Sequence, residues 1–288
     1  MSEENQVTDS SFSTTRQLIP QQVREKPPTH LQQGGLRTQG YFKKNVPNNP
    51  LISIITVVFN GETDLEKTIL SVIEQTYHNV EYLIIDGGST DNTLSILQQY
   101  NSVINYWLSE ADNGIYDAMN KGAKLAQGEY LLFLGADDYL YHNDIITTVI
   151  NQVQGSTYSL IFGKIIYNTG DIVSSALGLK TLLHNTVHHQ SCFYHRSLFQ
   201  NWRYDPSFKL IADYELNLIA YLQHWNYLFL DTIITQCRKD GLSQSKASYP
   251  LFITETNQVR SKHLSYWKNL LIQFIFTVKA YLYRFYSK

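Results

Sequence analysis

Sustained apolar patterning starts at Leu51. Residues 51–59 (LISIITVVF) form a continuous β-branched run, the pattern of a strand covered on both faces, and Asn60 and Gly61 end it. Thr63 and Glu66 have capping-box spacing, and Leu65, Ile69, Val72 and Ile73 give a helical stripe to about Gln75. Residues 80–86 (VEYLIID) predict a second strand, broken by Gly87 and Gly88, and Ser89 or Thr90 caps a helix to about Tyr100. A third strand over 104–109 leads to a helix with Ile115, Ala118, Met119, Gly122 and Ala126 on one face, small enough for close approach to a sheet. Gly128 closes that helix. The next strand, 130–134, stops at Gly135 and delivers Asp137 and Asp138 at its carboxyl end.

Strand and helix alternate from 51 to 140, which predicts an α/β fold with a parallel sheet and crossover helices. Beyond Asn143 the period changes. A helix to about Gln152 precedes a strand pair, 159–167 and 171–176, turning at Asn168, Thr169 and Gly170. Residues 213–222 predict a helix with Leu216, Ile219 and Ala220 inward, and a strand follows near 227–234. Residues 1–50 hold five of the seven prolines, are rich in Gln, Ser, Thr and Asn, and show no periodicity, so a disordered polar tail is expected there. No apolar run in that tail resembles a secretory signal.

Composition narrows the picture. With 288 residues, 43% of them hydrophobic, the chain can bury one sizeable core. A net charge of −2 gives no global reason to expect nucleic acid as a partner. Cys192 and Cys237 are too few for a disulfide framework, and the cytoplasm is the expected compartment. From 256 to 288 there is no Asp or Glu, while Arg260, Lys262, Lys268, Lys279, Arg284 and Lys288 are cationic. Leu264, Trp267, Leu271, Phe274, Val278, Leu282 and Phe285 mark a helical stripe within that stretch. Residues 244–288 are therefore expected to form a basic, aromatic helical segment that packs on the domain, pairs two copies in a homodimer, or lies peripherally on the inner face of the plasma membrane.

Chemistry gathers at the carboxyl ends of the predicted strands, the edge where open α/β sheets bind ligands: Asn60 and Glu62, Asp86, Asp112, then Asp137 and Asp138. Taken alone, the Asp137-Asp138 pair reads equally as a solvated acidic turn or as a seat for a divalent cation. No Gly-x-Gly-x-x-Gly follows the first strand and no Gly-x-x-x-x-Gly-Lys-Ser/Thr loop occurs, which argues against a dehydrogenase or a P-loop ATPase.

Five stretches, TVVFN with Glu62, DGGSTDNT, SEADNGIYDAMNKGAKLAQGEYLLFLGADD, HHQSCFYHRSLF and ADYEL, together resemble an inverting family 2 glycosyltransferase of the bacterial polysaccharide and lipopolysaccharide type. The resemblance spans about Leu51 to Ser243. It implies the GT-A fold, a Rossmann-like mixed sheet, mainly parallel and flanked by helices, here with a C-terminal helical extension. It also divides 51–243 into a nucleotide-binding half (51–140) and an acceptor half (141–243).

The resemblance assigns roles. Val57, Phe59, Asn60 and Glu62 would line the nucleoside, Asp86 would hydrogen-bond it, and Asp112 would share that wall. Asp137 and Asp138 would hold Mg or Mn against the diphosphate of a UDP- or GDP-sugar. Gly135 stands where the first acidic residue of the family motif is common, which leaves fewer protein oxygens for the ion. His184, His188 and His189 crowd a predicted loop rather than a helix, and the carboxylates already supply the hard ligands a diphosphate needs, so zinc is a poor fit. His189 reads either as a residue near the leaving phosphate or as an ordinary loop histidine. Asp213 would be the base that takes the proton from an acceptor hydroxyl on a saccharide or lipid-linked saccharide, although alone it reads equally as a helix cap. Arg238 to Ser243 resembles a loop closing over the diphosphate, or is a surface turn on Asp240-Gly241. Two other classes stay open, a catalytically inactive sugar-nucleotide-binding scaffold and a sugar-1-phosphate nucleotidyltransferase; the latter lacks its Gly-rich, Arg-containing first loop here.

Overall fold

The computed structural model describes residues 31–153, 155–239 and 246–274. Its strands are β1 (Gln32–Gly34), β2 (Ile52–Val58), β3 (Val80–Asp86), β4 (Tyr106–Ser109), β5 (Tyr130–Gly135), β6 (Tyr139–Leu140), β7 (Leu160–Tyr167), β8 (Ile172–Ser174), β9 (Cys192–His195) and β10 (Tyr227–Cys237). Its helices are α1 (Leu65–Ile73), α2 (Thr93–Gln99), α3 (Ile115–Leu125), α4 (Ile145–Val153), α5 (Leu198–Asn201), α6 (Ala212–Leu222) and α7 (Tyr249–His263). Residues 266–274 are also helical.

The strands join in one sheet, ordered β1-β4-β3-β2-β5-β9-β7-β10-β6, with β8 on β7. The block β4-β3-β2-β5 is parallel, as is β7-β10, whereas β1, β6, β8 and β9 pair antiparallel. The chain moves outward from β2 to β4, then α3 carries it back to β5 on the other side of β2. In open α/β sheets such a reversal is the place where ligands bind, beyond the carboxyl ends of the flanking strands, here β2 and β5.

Both faces of the parallel block are covered, which is why its strands read as unbroken apolar runs. Ile52 and Ile54 face α1, α2 and α4, while Ile55, Ile85 and Phe133 face α3 and α6. The close approach expected of α3 is present: a Cβ on Gly122 would sit 2.4 Å from Ile55 Cγ2. Each fully buried Ile or Leu stabilises the fold by ~1.5–3 kcal/mol.

Three local expectations are corrected. The unstructured tail does not extend to residue 50, because β1 pairs with β4 and Arg37 forms a buried ion pair with Glu81 while donating to Leu125 O at 2.9 Å. Residues 1–30 lie outside the described residues. Thr63 does not cap α1; Asp64 occupies that position, and Glu66 accepts from Tyr100 Oη at 2.7 Å instead. Ser89 and Thr90 do not cap α2, which starts after Asn92, with the Asp91 carboxylate accepting the Thr93 N–H at 3.0 Å. The strand pair at 160–174 stands as expected, with Gly170 at φ 89° in its turn.

Candidate active site at the carboxyl edge of the sheet

The loops after β2 and β3 are knitted together. Asn60 takes a left-handed conformation at φ 53° and accepts the Thr90 N–H at 2.9 Å. Glu62 accepts both the backbone N–H and the side-chain amide of Asn92 at 3.0 and 2.8 Å. Phe59 stands exposed beside them and Val57 is half-buried beneath. Asp86 is fully buried, and its oxygens accept from Ser89 and, at 2.6 Å, from Ser109 Oγ, which holds the loop after β3 and fixes the carboxylate at the strand end. Asp112 packs against Gly87 and accepts the Gly114 N–H at 2.8 Å; burial pushes its carboxyl up, with that hydrogen bond and Lys121 opposing.

The acidic pair turns over Gly135. A Cβ there would lie 2.7 Å from Asp138 Oδ2 and 3.2 Å from Asp137 Oδ1, so both carboxylates converge on the space a side chain would fill. The glycine that departs from the family motif thus makes room for Asp138. Thr68 Oγ1 on α1 donates to the carbonyls of Ala136 and Asp138 at 2.8 Å and fixes the turn. Burial pushes the Asp138 carboxyl up to about 6, the Asp137 charge adds to this, and His189 opposes it. Two converging, poorly compensated hard oxygens fit Mg or Mn, which complete their shell with water and phosphate oxygens. Among the described residues no three His, Cys, Asp or Glu side chains form a metal cluster.

Asp213 enters from α6, only 4% exposed. Tyr116 Oη on α3 lies 3.2 Å from its Oδ1, while Asn185 Nδ2 at 2.7 Å and His189 Nδ1 at 3.2 Å meet its Oδ2. Asp213 therefore joins α3 to the segment 185–189, whose 3-10 turn, His189–Ser191, packs on β5. The three histidines do not converge. His184 is exposed, and burial pushes the His188 ring down to about 4.

Asn185 is itself held by Asn217 Nδ2 at 2.9 Å, and Asn217 also donates to Val187 O at 3.1 Å. Neither asparagine stands out in the sequence; the available signal is that Asn217 falls on the inward face of α6, where an apolar residue is expected. Tyr116 and Tyr204 stack tilted beside the carboxylate, centroids 5.4 Å apart. Arg238 pairs with Asp64 at 2.9 Å, and Lys239 pairs with Asp171; residues 240–243 of the expected closing loop lie outside the described residues.

A mixed sheet whose parallel block reverses its strand order beside an acidic pair, with a buried, hydrogen-bonded carboxylate on the helix before β10, is consistent with a GT-A sugar transferase. The sequence profile of Glycosyl transferase family 2 matches residues 53–229. A PGL/p-HBAD biosynthesis glycosyltransferase of Mycobacterium bovis is 35% identical over 176 residues, covering 59% of this chain and 69% of the relative. An uncharacterized glycosyltransferase of Mycobacterium tuberculosis is 31% identical over 188 residues, 60% of this chain and 70% of that one. Among solved structures, S. aureus TarS 1-349 aligns with a TM-score of 0.59 at 18% identity, over 77% of this chain and 69% of that one. The mannosyltransferase PcManGT from Pyrobaculum calidifontis, in complex with GDP-Man and Mn2+, aligns with a TM-score of 0.58 at 12% identity, over 84% and 69%. The chain belongs to glycosyl transferase family 2, a glycosyltransferase with the GT-A fold.

Proposed function

We propose that this glycosyltransferase moves a sugar from a nucleotide-diphosphate donor to an acceptor hydroxyl with inversion at the anomeric carbon, and that Asp213 is the base. One observation carries the reading: Asp213 contacts Tyr116 of the first half and His189, whose short 3-10 turn, His189–Ser191, packs on β5, the strand that leads into the Asp137-Asp138 turn. The acceptor oxygen loses its proton to Asp213 and bonds to the anomeric carbon. The bond from that carbon to the diphosphate oxygen breaks, and its electron pair leaves with the nucleoside diphosphate. Attack comes from the face opposite the leaving group, so the configuration inverts. Asp137 and Asp138 would hold Mg or Mn, which when bound offsets charge on the departing diphosphate. Phe59, exposed at the rim, and the loops of Asn60, Glu62 and Asp112 would form the nucleoside wall. Structures of TarS with UDP and UDP-GlcNAc, and of PcManGT with GDP-Man, support a UDP- or GDP-sugar donor.

The test is acceptor-dependent release of nucleoside diphosphate. Asp213→Asn should retain donor binding and lose turnover by about 10²–10⁴. Normal turnover of Asp213→Asn with the true acceptor would remove the assignment.

We further propose a peripheral seat on an anionic membrane surface, where a lipid-linked acceptor would be met. Among the described residues no helix is long and apolar enough to cross a membrane. Tyr266, Trp267, Leu270, Leu271 and Phe274 are exposed at helical spacing, while Asn269 and Ile272 turn inward. The acid-free, cationic sequence around this stripe complements anionic lipid. Full-length protein should sediment with phosphatidylglycerol vesicles and Leu271→Glu should not. Equal sedimentation of both, or none of either with a dimer in solution, refutes the membrane seat.

A further inference from the structure

We infer that α7, which lies beyond the 53–229 span of the family match, is part of the machinery that aims the base, with Glu255 and Arg260 as positioning residues. The inference rests on the reading of Asp213 as that base. The chain between α5 and α6 contains no helix or strand among residues 202–211, so no ladder fixes how it delivers Asp213. Side-chain ties do so instead. Asn120 pins one end, its amide donating to Tyr204 O at 2.8 Å while its carbonyl accepts the Tyr204 N–H at 2.9 Å. Glu255 pins the other end. Its buried carboxylate accepts the N–H of Lys209 at 2.7 Å and of Leu210 at 3.0 Å, three residues before Asp213.

Arg260, equally buried on the same helix, donates to Leu183 O at 3.1 Å, two residues before Asn185. Asn185 is the amide that meets Asp213 Oδ2 at 2.7 Å. A third tie joins α7 to α6 itself, His263 Nε2 lying 2.7 Å from Glu215 Oε1. One stretch of α7 thus sets the position of both partners in the Asn185–Asp213 hydrogen bond, which come from segments distant in sequence. Val259, fully buried in the main core, anchors that stretch. Because misplacing a reacting group by about 1 Å can cost 10²-fold in rate, ties of this kind bear on turnover without touching substrate.

The test compares Glu255→Gln, Arg260→Ala and Arg260→Lys with the unaltered protein by thermal melting, donor KM and kcat for acceptor-dependent transfer. Arg260→Ala and Glu255→Gln should remain folded and lose kcat roughly tenfold or more, with donor KM within about twofold, and Arg260→Lys should recover most of the loss. In an Asp213→Asn background, Arg260→Ala should cause little further loss, since both act through one group. Full kcat in folded Arg260→Ala overturns the inference. So does a loss that tracks the folded fraction and multiplies with Asp213→Asn. A folded Asp213→Asn protein at full rate would instead remove the base assignment, and the two failures are told apart in the same assay.

Discussion

The two halves of the site are built by different means. In the first half, the functional loops are short turns at strand ends, and each is held by the loop beside it: 60–62 by 89–92 through Asn60, Glu62 and Asp91. Their positions follow from the parallel sheet. In the second half, Asp213 depends on side chains from two distant segments, Tyr116 on α3 and Asn185 with His189 ahead of β9, with Asn217 behind Asn185. A sheet edge offers a stable wall for a donor. A polar network can be changed residue by residue, which suits the side that must meet a particular acceptor.

The comparison breaks most clearly through a pair of substitutions with opposite signatures. Asp213→Asn should cost about 10²–10⁴ in kcat while donor affinity, measured by calorimetry with Mn, stays unchanged. Asp137→Ala should weaken Mn-dependent nucleotide binding by about tenfold or more, ~1.4 kcal/mol, as well as slow turnover. If both variants lost nucleotide binding equally, the division between a donor half and an acceptor half would be wrong.

The same contrast explains what could be read in the sequence. Strands β2, β3 and β5 announce themselves because a doubly covered strand has no polar face, and Gly or Asp marks each end. The clustering of Asn60, Glu62, Asp112 and the Asp137-Asp138 pair follows from that alternation. β9 was not legible as a strand, since four residues inserted between β5 and β7 lack a period of their own. Nor was the structure before residue 50, where a three-residue strand on β4, backbone bonds from Leu36 and Arg37 to Ile104 and Asn105, and Arg37 on Glu81 all lie within a polar segment that shows no period. For Asp86 the sequence reveals a carboxylate at a strand end but not the Ser89 and Ser109 hydroxyls that hold it there. Asn185 and Asn217 gain meaning only when folding brings them together.

A smaller effect concerns the second half alone. Burial lowers the His188 pKa from 6.5 to about 4, its neighbour His189 adds to this, and Asp213 opposes it. Between those values the unfolded chain binds a proton that the folded chain does not. The contribution is therefore fully present above pH 6.5 and is lost as pH falls towards 4, about 3 kcal/mol in all. The Asp138 carboxyl, pushed up to about 6, acts in the opposite sense over the same range, so the reading is a difference: in thermal melts of the metal-free protein, Tm of His188→Gln should fall less steeply with acid than that of the unaltered protein. An unchanged slope in that variant would place the acid sensitivity elsewhere.

The smallest expected effect sharpens the comparison from the other side. Glu62 is exposed, yet it accepts both the N–H and the amide of Asn92. Surface hydrogen bonds to a charged group contribute modestly, so Glu62→Ala should cost at most ~1 kcal/mol of stability in urea unfolding. The proposed donor wall, however, consists of the loops that this contact joins. Donor KM should rise a few-fold in Glu62→Ala while kcat at saturating donor stays the same, because Asp213 and its partners draw nothing from residue 62. A fall in kcat with unchanged donor KM would show that the two halves are coupled through the sheet edge, and that the donor wall helps to place the acceptor's base.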